Sequence, residues 1–172
     1  VRMEAWWSAC LLVFFDQLRL IGEEDPAVDI LIPLLKIGIS KVATEQVREA
    51  QLIFGGNGIL RDFSILPRLS QDALIQEIWE GTHPILASHA LKALRRPASR
   101  AAFEGLLDEG ENAARKRPEL KETLEALREL RGRFVSQDGL ELCESVFRAF
   151  ALALLLREAS GPLDIGTPFS RL

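Results

Sequence analysis

Two short stretches hold residue types that do chemistry. In "IWEGTH", residues 78 to 83, a carboxylate stands between an aromatic and a glycine. A glutamate beside Ile78 and Trp79 at a helix end can have its pKa raised by desolvation, and Glu80 would then serve as a general base. The alternative is an ordinary surface glutamate, and the residues alone leave both open. In "IFGGNGIL", residues 53 to 60, Gly55-Gly56-Asn57-Gly58 interrupts a helix-like run. Repeated glycine there is either a helix stop with a tight turn or a place where backbone approaches something closely. It is not a dinucleotide-binding fingerprint, because no strand precedes it and no G-x-G-x-x-G follows.

Other chemistries find less support. Glu80-x-x-His83 has the spacing of a carboxylate-bridged metal site, but such a site needs a second copy and further glutamates. The other histidine, His89, has Leu86 three residues before it, so no metal is expected. No G-x-S-x-G occurs, and neither Cys10 nor Cys143 has a histidine nearby in sequence. Both cysteines have apolar neighbours and read as small core residues in a reducing, cytoplasmic setting. Arg115-Lys116-Arg117 reads as a solvated helix end, and Trp6 and Trp7 as core or interface.

The chain has 172 residues, 48% hydrophobic and 27% charged, enough for one domain with a real core. A net charge of −4 with interspersed signs gives no electrostatic reason to expect nucleic acid. Residues 98–172 hold eleven Lys/Arg against thirteen Asp/Glu, so no basic excess marks that half. No membrane span is expected either. "FRAFALALLLRE", 147 to 158, contains Arg148 and Arg157 and falls short of the ~20 residues a span needs, so it reads as a buried helix. A chain opening at Val1 straight into helical sequence reads as part of a larger polypeptide.

The elements that must carry these residues are helical. Trp7, Leu11, Phe15 and Leu18 recur on one helical face, before Gly22, Asp25 and Pro26 break the pattern. A second helix is predicted from about Pro33, with Leu35, Ile39 and Val42 on one side, ending at Gly55-Gly56. Pro67 opens a third, "PRLSQDALIQEIW". Thr82 then caps a fourth, with Pro84 in its first turn and Leu86, Ala90 and Leu94 along one face. "RRPAS", 95 to 99, marks a boundary. Beyond it Phe103, Leu106 and Leu107 suggest another helix, as do Leu120, Leu124, Leu127 and Phe134 after Pro118. Leu142, Val146, Phe150 and Leu154 make the last. The class is all-α, an antiparallel helical bundle over residues 1–97 with extra C-terminal helices over 98–160 and a tail at 161–172.

Taken together, the two glycine- and glutamate-bearing stretches carry more than either alone. Residues 50 to 94, "AQLIFGGNGILRDFSILPRLSQDALIQEIWEGTHPILASHALKAL", resemble the C-terminal helical domain of the acyl-CoA dehydrogenase family. A helix ending in G-G-x-G is followed, without gaps, by the E-G-T segment. The likeness extends more loosely back to Val1, and "IWEG" with a further helical region looks most like the larger, alkylation-response-like members. The resemblance implies an FAD-dependent α,β-dehydrogenation of acyl-CoA thioesters, with Glu80 as the base that removes the α-proton. It implies that Gly55 and Gly56 meet the adenosine diphosphate end of FAD, often a neighbouring subunit's, and that Thr82 contacts FAD. It further implies a homo-oligomer. The sequence departs from the family at Leu52, Gln71 and His83-Pro84, each replacing a polar residue that grips the cofactor. The family's N-terminal helical and middle β-domains do not appear in these 172 residues. Two rival readings are a non-catalytic helical oligomerisation module and a nucleic-acid-binding flavoprotein.

Overall fold

A computed structural model describes residues 2–134 and 139–161. Seven α-helices carry the described residues: α1 (Arg2–Gly22), α2 (Val28–Phe54), α3 (Leu66–Ile78), α4 (His83–Leu94), α5 (Pro97–Ala114), α6 (Lys121–Arg133) and α7 (Gly139–Ser160). Short 3-10 turns at Gly55–Ile59 and Pro118–Leu120 join them, and no strand occurs among the described residues. The all-α expectation holds. Most of the predicted tail lies outside the described residues.

Sequential neighbours α1/α2 and α2/α3 run antiparallel. The Gln46 amide donates to the Met3 carbonyl (3.2 Å), and Lys36 Nζ donates to the Gln76 carbonyl (2.5 Å). By contrast, α7 lies along α1 in the same sense. Trp6 lines a small cavity with Phe147 and Arg148, and Arg157 donates to buried Asp16 at 2.6 Å. One buried cluster runs through all of this, from Val13 and Leu34 through Phe103, Leu107 and Leu127 to Phe150 and Leu156. Residues 98–160 thus share their core with residues 1–97.

Three sequence-based details change. α2 begins at Val28, not at Pro33, because Asp25 organises the turn: its carboxylate accepts from Ala27 N at 2.7 Å, and its carbonyl from Val28 N at 3.1 Å. Pro33 sits inside the helix, where its ring removes one ladder donor. Second, the α1 face of Trp7, Phe15 and Leu18 is exposed, with only Leu11 of that stripe half-buried; the core takes Ala9, Cys10, Val13, Gln17 and Leu20 instead. The helix carries two apolar stripes, and periodicity cannot say which one the fold uses. Third, the face of α2 that is fully buried is Ile30, Leu34 and Ile37, with Leu35, Ile39 and Val42 half-buried at its flanks.

The C-terminal helices follow their stripes closely. Leu124 and Leu127 of α6 are buried, as are Val146, Phe150 and Leu154 of α7. Glu111, nearly buried on α5, accepts from Arg128 (3.2 Å) and Arg131 (2.7 Å), which ties α6 to α5. Arg117 of the basic run donates to the carbonyls of Ser160 (3.1 Å) and Gly161 (3.3 Å), satisfying the end of α7. Both cysteines are buried, and desolvation pushes each thiol up to about 11, leaving them poor nucleophiles. No described helix is long and apolar enough to cross a membrane.

Candidate functional site

α3 ends where Trp79 leaves the helix in an extended conformation, its N–H still donating to the Ile75 carbonyl at 2.8 Å. Glu80 then takes φ +58° and Gly81 φ +113°. Glycine is the ordinary occupant of such a left-handed position just past a helix end. A glutamate there costs roughly 1 kcal/mol of backbone strain. Thr82 follows at the N-cap of α4, as expected, and its carbonyl accepts from Ile85 N (3.0 Å) and Leu86 N (3.1 Å). Its side chain makes no capping bond and is exposed. That leaves the hydroxyl available to another group.

Glu80 stands at the rim of an open groove of about 430 Å³ between α2 and α4, lined by Asp29, Ile32, Pro33, Lys36, Leu86 and His89. Ile32, Pro33 and Leu86 give it an apolar lining, while Asp29, Lys36 and Glu80 bring both signs of charge. Trp79 and Ile78, the neighbours expected to desolvate Glu80, are themselves 59% and 66% exposed, and Glu80 is exposed too. The desolvation expected for Glu80 from its two apolar neighbours is therefore not present within this chain.

The Gly55–Gly56 turn lies elsewhere. Lys36, beside Glu80, and Gly55 are separated by about two thirds of α2, roughly 28 Å at about 1.5 Å per residue. The two predicted site elements occupy opposite ends of one helix. Gly55 takes φ +58°, and no atom lies within 4 Å of where a side chain would begin at Gly55 or Gly56. Gly58 is different: a Cβ there would sit 2.5 Å from the Gln51 carbonyl oxygen, so this glycine is required by close packing on α2. The turn combines both readings of its sequence, a helix stop at Gly55 and a close backbone approach at Gly58, with open space around Gly55 and Gly56.

Sequence reasoning missed several residues here. Lys36, Asp29 and Pro33 reach the groove from α2, more than forty positions before Glu80, and no local pattern announces them. The sequence offers His83 as a metal ligand or as a departure from the family's polar pair, not as a buried tie. It is 7% exposed, and its Nε2 lies 2.9 Å from the Ser40 hydroxyl while Nδ1 lies 3.8 Å from the Glu77 carboxylate. Burial, the largest influence, lowers its pKa.

Residues 1–95 match the family model for the C-terminal domain of acyl-CoA dehydrogenases. The chain belongs to the acyl-CoA dehydrogenase family. Acyl-CoA dehydrogenase family member 11 of Caenorhabditis elegans is 33% identical over 100 residues, 53% of this chain and 16% of that protein. The chain therefore spans about a sixth of the curated relative it matches. Two solved structures share the fold over its length. The apo-form of Bd2924 superposes with a TM-score of 0.70 at 26% identity, covering 91% of this chain and 32% of its own. Caenorhabditis elegans ACDH-11 in complex with C11-CoA gives 0.73 at 23% identity, covering 92% and 31%. The family match stops at residue 95, at the α4–α5 junction, whereas the structural likeness runs on through most of α5–α7.

Proposed function

We propose that this chain is the C-terminal helical part of an FAD-dependent acyl-CoA dehydrogenase-like flavoprotein, and that Glu80 is its catalytic base. The observation that carries the reading is where Glu80 stands: inside the matched domain, in a positive-φ turn beside a groove with Ile32, Pro33 and Leu86 in its lining. Backbone strain alone does not mark it, since Glu24 takes φ +55° in the α1–α2 turn. Domain membership and the acyl-CoA complex of the ACDH-11 neighbour support the substrate class.

The residues present fit the cofactor. Gly55 and Gly56 offer backbone with open space that any side chain would fill, as a close approach by the adenosine diphosphate end of FAD requires. Thr82 offers a free hydroxyl at a helix start, where backbone amides also favour an anionic or hydrogen-accepting group. When bound, FAD would supply the hydride acceptor for the substrate's β-carbon. Glu80, as carboxylate, takes the α-proton of the thioester. Ile32, Pro33 and Leu86 form one apolar wall below it, and Trp79 and Ile78 await cover from the remainder of the site. With the glycine turn and Glu80 at opposite ends of α2, we assign Gly55 and Gly56 to the cofactor of a neighbouring copy. Residues 98–160 are an extension that buttresses α1, α2 and α4 through α7.

Deuterium exchange at the substrate tests the base directly. In D₂O, the flavin-loaded assembly containing this chain is expected to wash solvent deuterium into the α-carbon of an acyl-CoA, and Glu80→Gln to stop it. Exchange that persists in the variant would remove Glu80 from this role. An assembly that neither binds flavin nor turns over an acyl thioester would favour the oligomerisation-module reading.

A further inference from the structure

We infer that His83 is a positioning residue: it pins the start of α4 to α2 through Ser40 and so fixes where the Glu80 turn stands at the groove. The inference rests on Glu80 being the working carboxylate, but its structural half can be tested alone. His83 is the first residue of α4, three positions past Glu80, and its buried ring touches both sides of the turn. Its Nε2 lies 2.9 Å from Ser40 Oγ on α2, and its Nδ1 faces Glu77, in the last turn of α3, at 3.8 Å.

The Ser40–His83 bond can be made from either side. The Ser40 hydroxyl has the Lys36 carbonyl at 2.7 Å and the Ile37 carbonyl at 3.2 Å as acceptors. With its proton on that backbone the imidazole donates from Nε2; in the other tautomer the hydroxyl turns and donates to Nε2, and the contact stands in both. Nδ1 is too far from Glu77 for a direct hydrogen bond. Around the ring stand Glu77 from α3, Lys36 and Lys41 from α2, and Glu144 from α7; Lys41 and Glu144 are paired with each other. A neutral imidazole suits this balanced, desolvated surrounding.

The turn has few other internal ties. Thr82 makes no side-chain cap, and the backbone passes through two successive positive-φ residues. Lys36 holds the end of α3 through the Gln76 carbonyl, and His83 holds the beginning of α4. Glu80 is suspended between these two ties, both anchored within one turn of α2. The arrangement of Ser40, His83 and Glu77 superficially suggests a nucleophilic triad. Ser40 is 5% exposed with its hydroxyl turned to helix carbonyls, so it cannot meet a substrate.

His83→Leu and His83→Gln separate the possibilities. Leucine orphans nothing, because Ser40 keeps its own backbone acceptors, whereas the glutamine amide N–H can still reach Ser40. In amide exchange on this chain, His83→Leu is expected to speed exchange at Ile85 and Leu86 about tenfold, with α5 and α7 amides unchanged, and His83→Gln to restore protection to within about threefold. In the flavin-loaded assembly His83→Leu should lower kcat with little change in KM, and glutamine should recover it. Unaltered exchange in His83→Leu overturns the pin, as does glutamine behaving like leucine. Faster exchange with kcat unchanged overturns the positioning role. If the wild-type assembly has no turnover, the Glu80 reading and the positioning role fail together, while the exchange result still decides the pin.

Discussion

At the residue scale, two glutamates, Glu24 and Glu80, take glycine's conformation, and Glu80 is the one beside the groove. Glu80 at φ +58° is held by what flanks it, with Gly81 continuing the positive-φ path and His83 buried behind. His83 gives this region a pH signature. Burial lowers its pKa below the ordinary value of 6.5, so just below that pH the unfolded chain takes a proton that the folded chain refuses. The unfolded state binds more protons there, stability rises with pH, and it is lost as pH falls from 6.5 towards the folded value. Melting temperature measured between about pH 7.5 and pH 5 should drop more steeply in the wild type than in His83→Gln. Parallel curves would show that His83 does not titrate differently on folding. The sequence made Glu80, Gly55, Gly56 and Thr82 candidates because each sits in a local pattern, G-G-x-G or E-G-T. His83, Lys36 and Gly58 were not visible, because each matters through a contact with another part of the chain.

At the scale of elements, small residues decide how closely the helices approach. A Cβ on Gly110 of α5 would lie 2.5 Å from the Ala153 carbonyl oxygen and 2.6 Å from its Cα on α7. Backbone cannot yield as a flexible side chain can, so Gly110→Ala must push α5 and α7 apart. Urea unfolding is expected to show a loss of about 2 kcal/mol. Gly105, one and a half turns earlier on the same helix, has nothing within 4 Å, so Gly105→Ala should be neutral or stabilising by up to about 1 kcal/mol. Equal effects of the two would refute the close crossing. The stripes of α4 through α6 were legible because each helix has one apolar face, and α7 was legible as a buried helix because apolar residues cover most of its circumference. α1 has two, and the sequence could not rank them. The start of α2 was displaced because the Asp25 turn, rather than the first proline, organises it.

At the scale of the molecule, the surface is unfinished. Ile53 (76% exposed), Ile59, Phe63, Ile65 and Ile78 form apolar exposure around the C-terminal end of α2 and along α3, where Ala73 is the one buried residue of the helix. Soluble monomers rarely leave so much apolar surface uncovered. α7 is used internally, with Phe147, Phe150 and Leu154 buried. A contact between copies would therefore fall to α1's Trp7 face and to the apolar patch at the end of α2 and along α3. Light scattering should report self-association to a dimer or larger, weakened by Ile53→Lys with Phe63→Glu; a strict monomer at high concentration would contradict this. The sequence could not assign these faces, since exposure depends on which stripe each helix turns to the shared core.

The central claim, that Glu80 is the base of an acyl-CoA dehydrogenation, meets its most direct test in turnover. Glu80→Gln keeps the size and the hydrogen-bonding reach of the side chain but cannot accept the α-proton. In the flavin-loaded assembly that contains this chain, kcat on an acyl-CoA should fall by at least about 10²-fold while flavin content stays at the wild-type level. Wild-type turnover in the variant, with flavin fully bound, would contradict the claim.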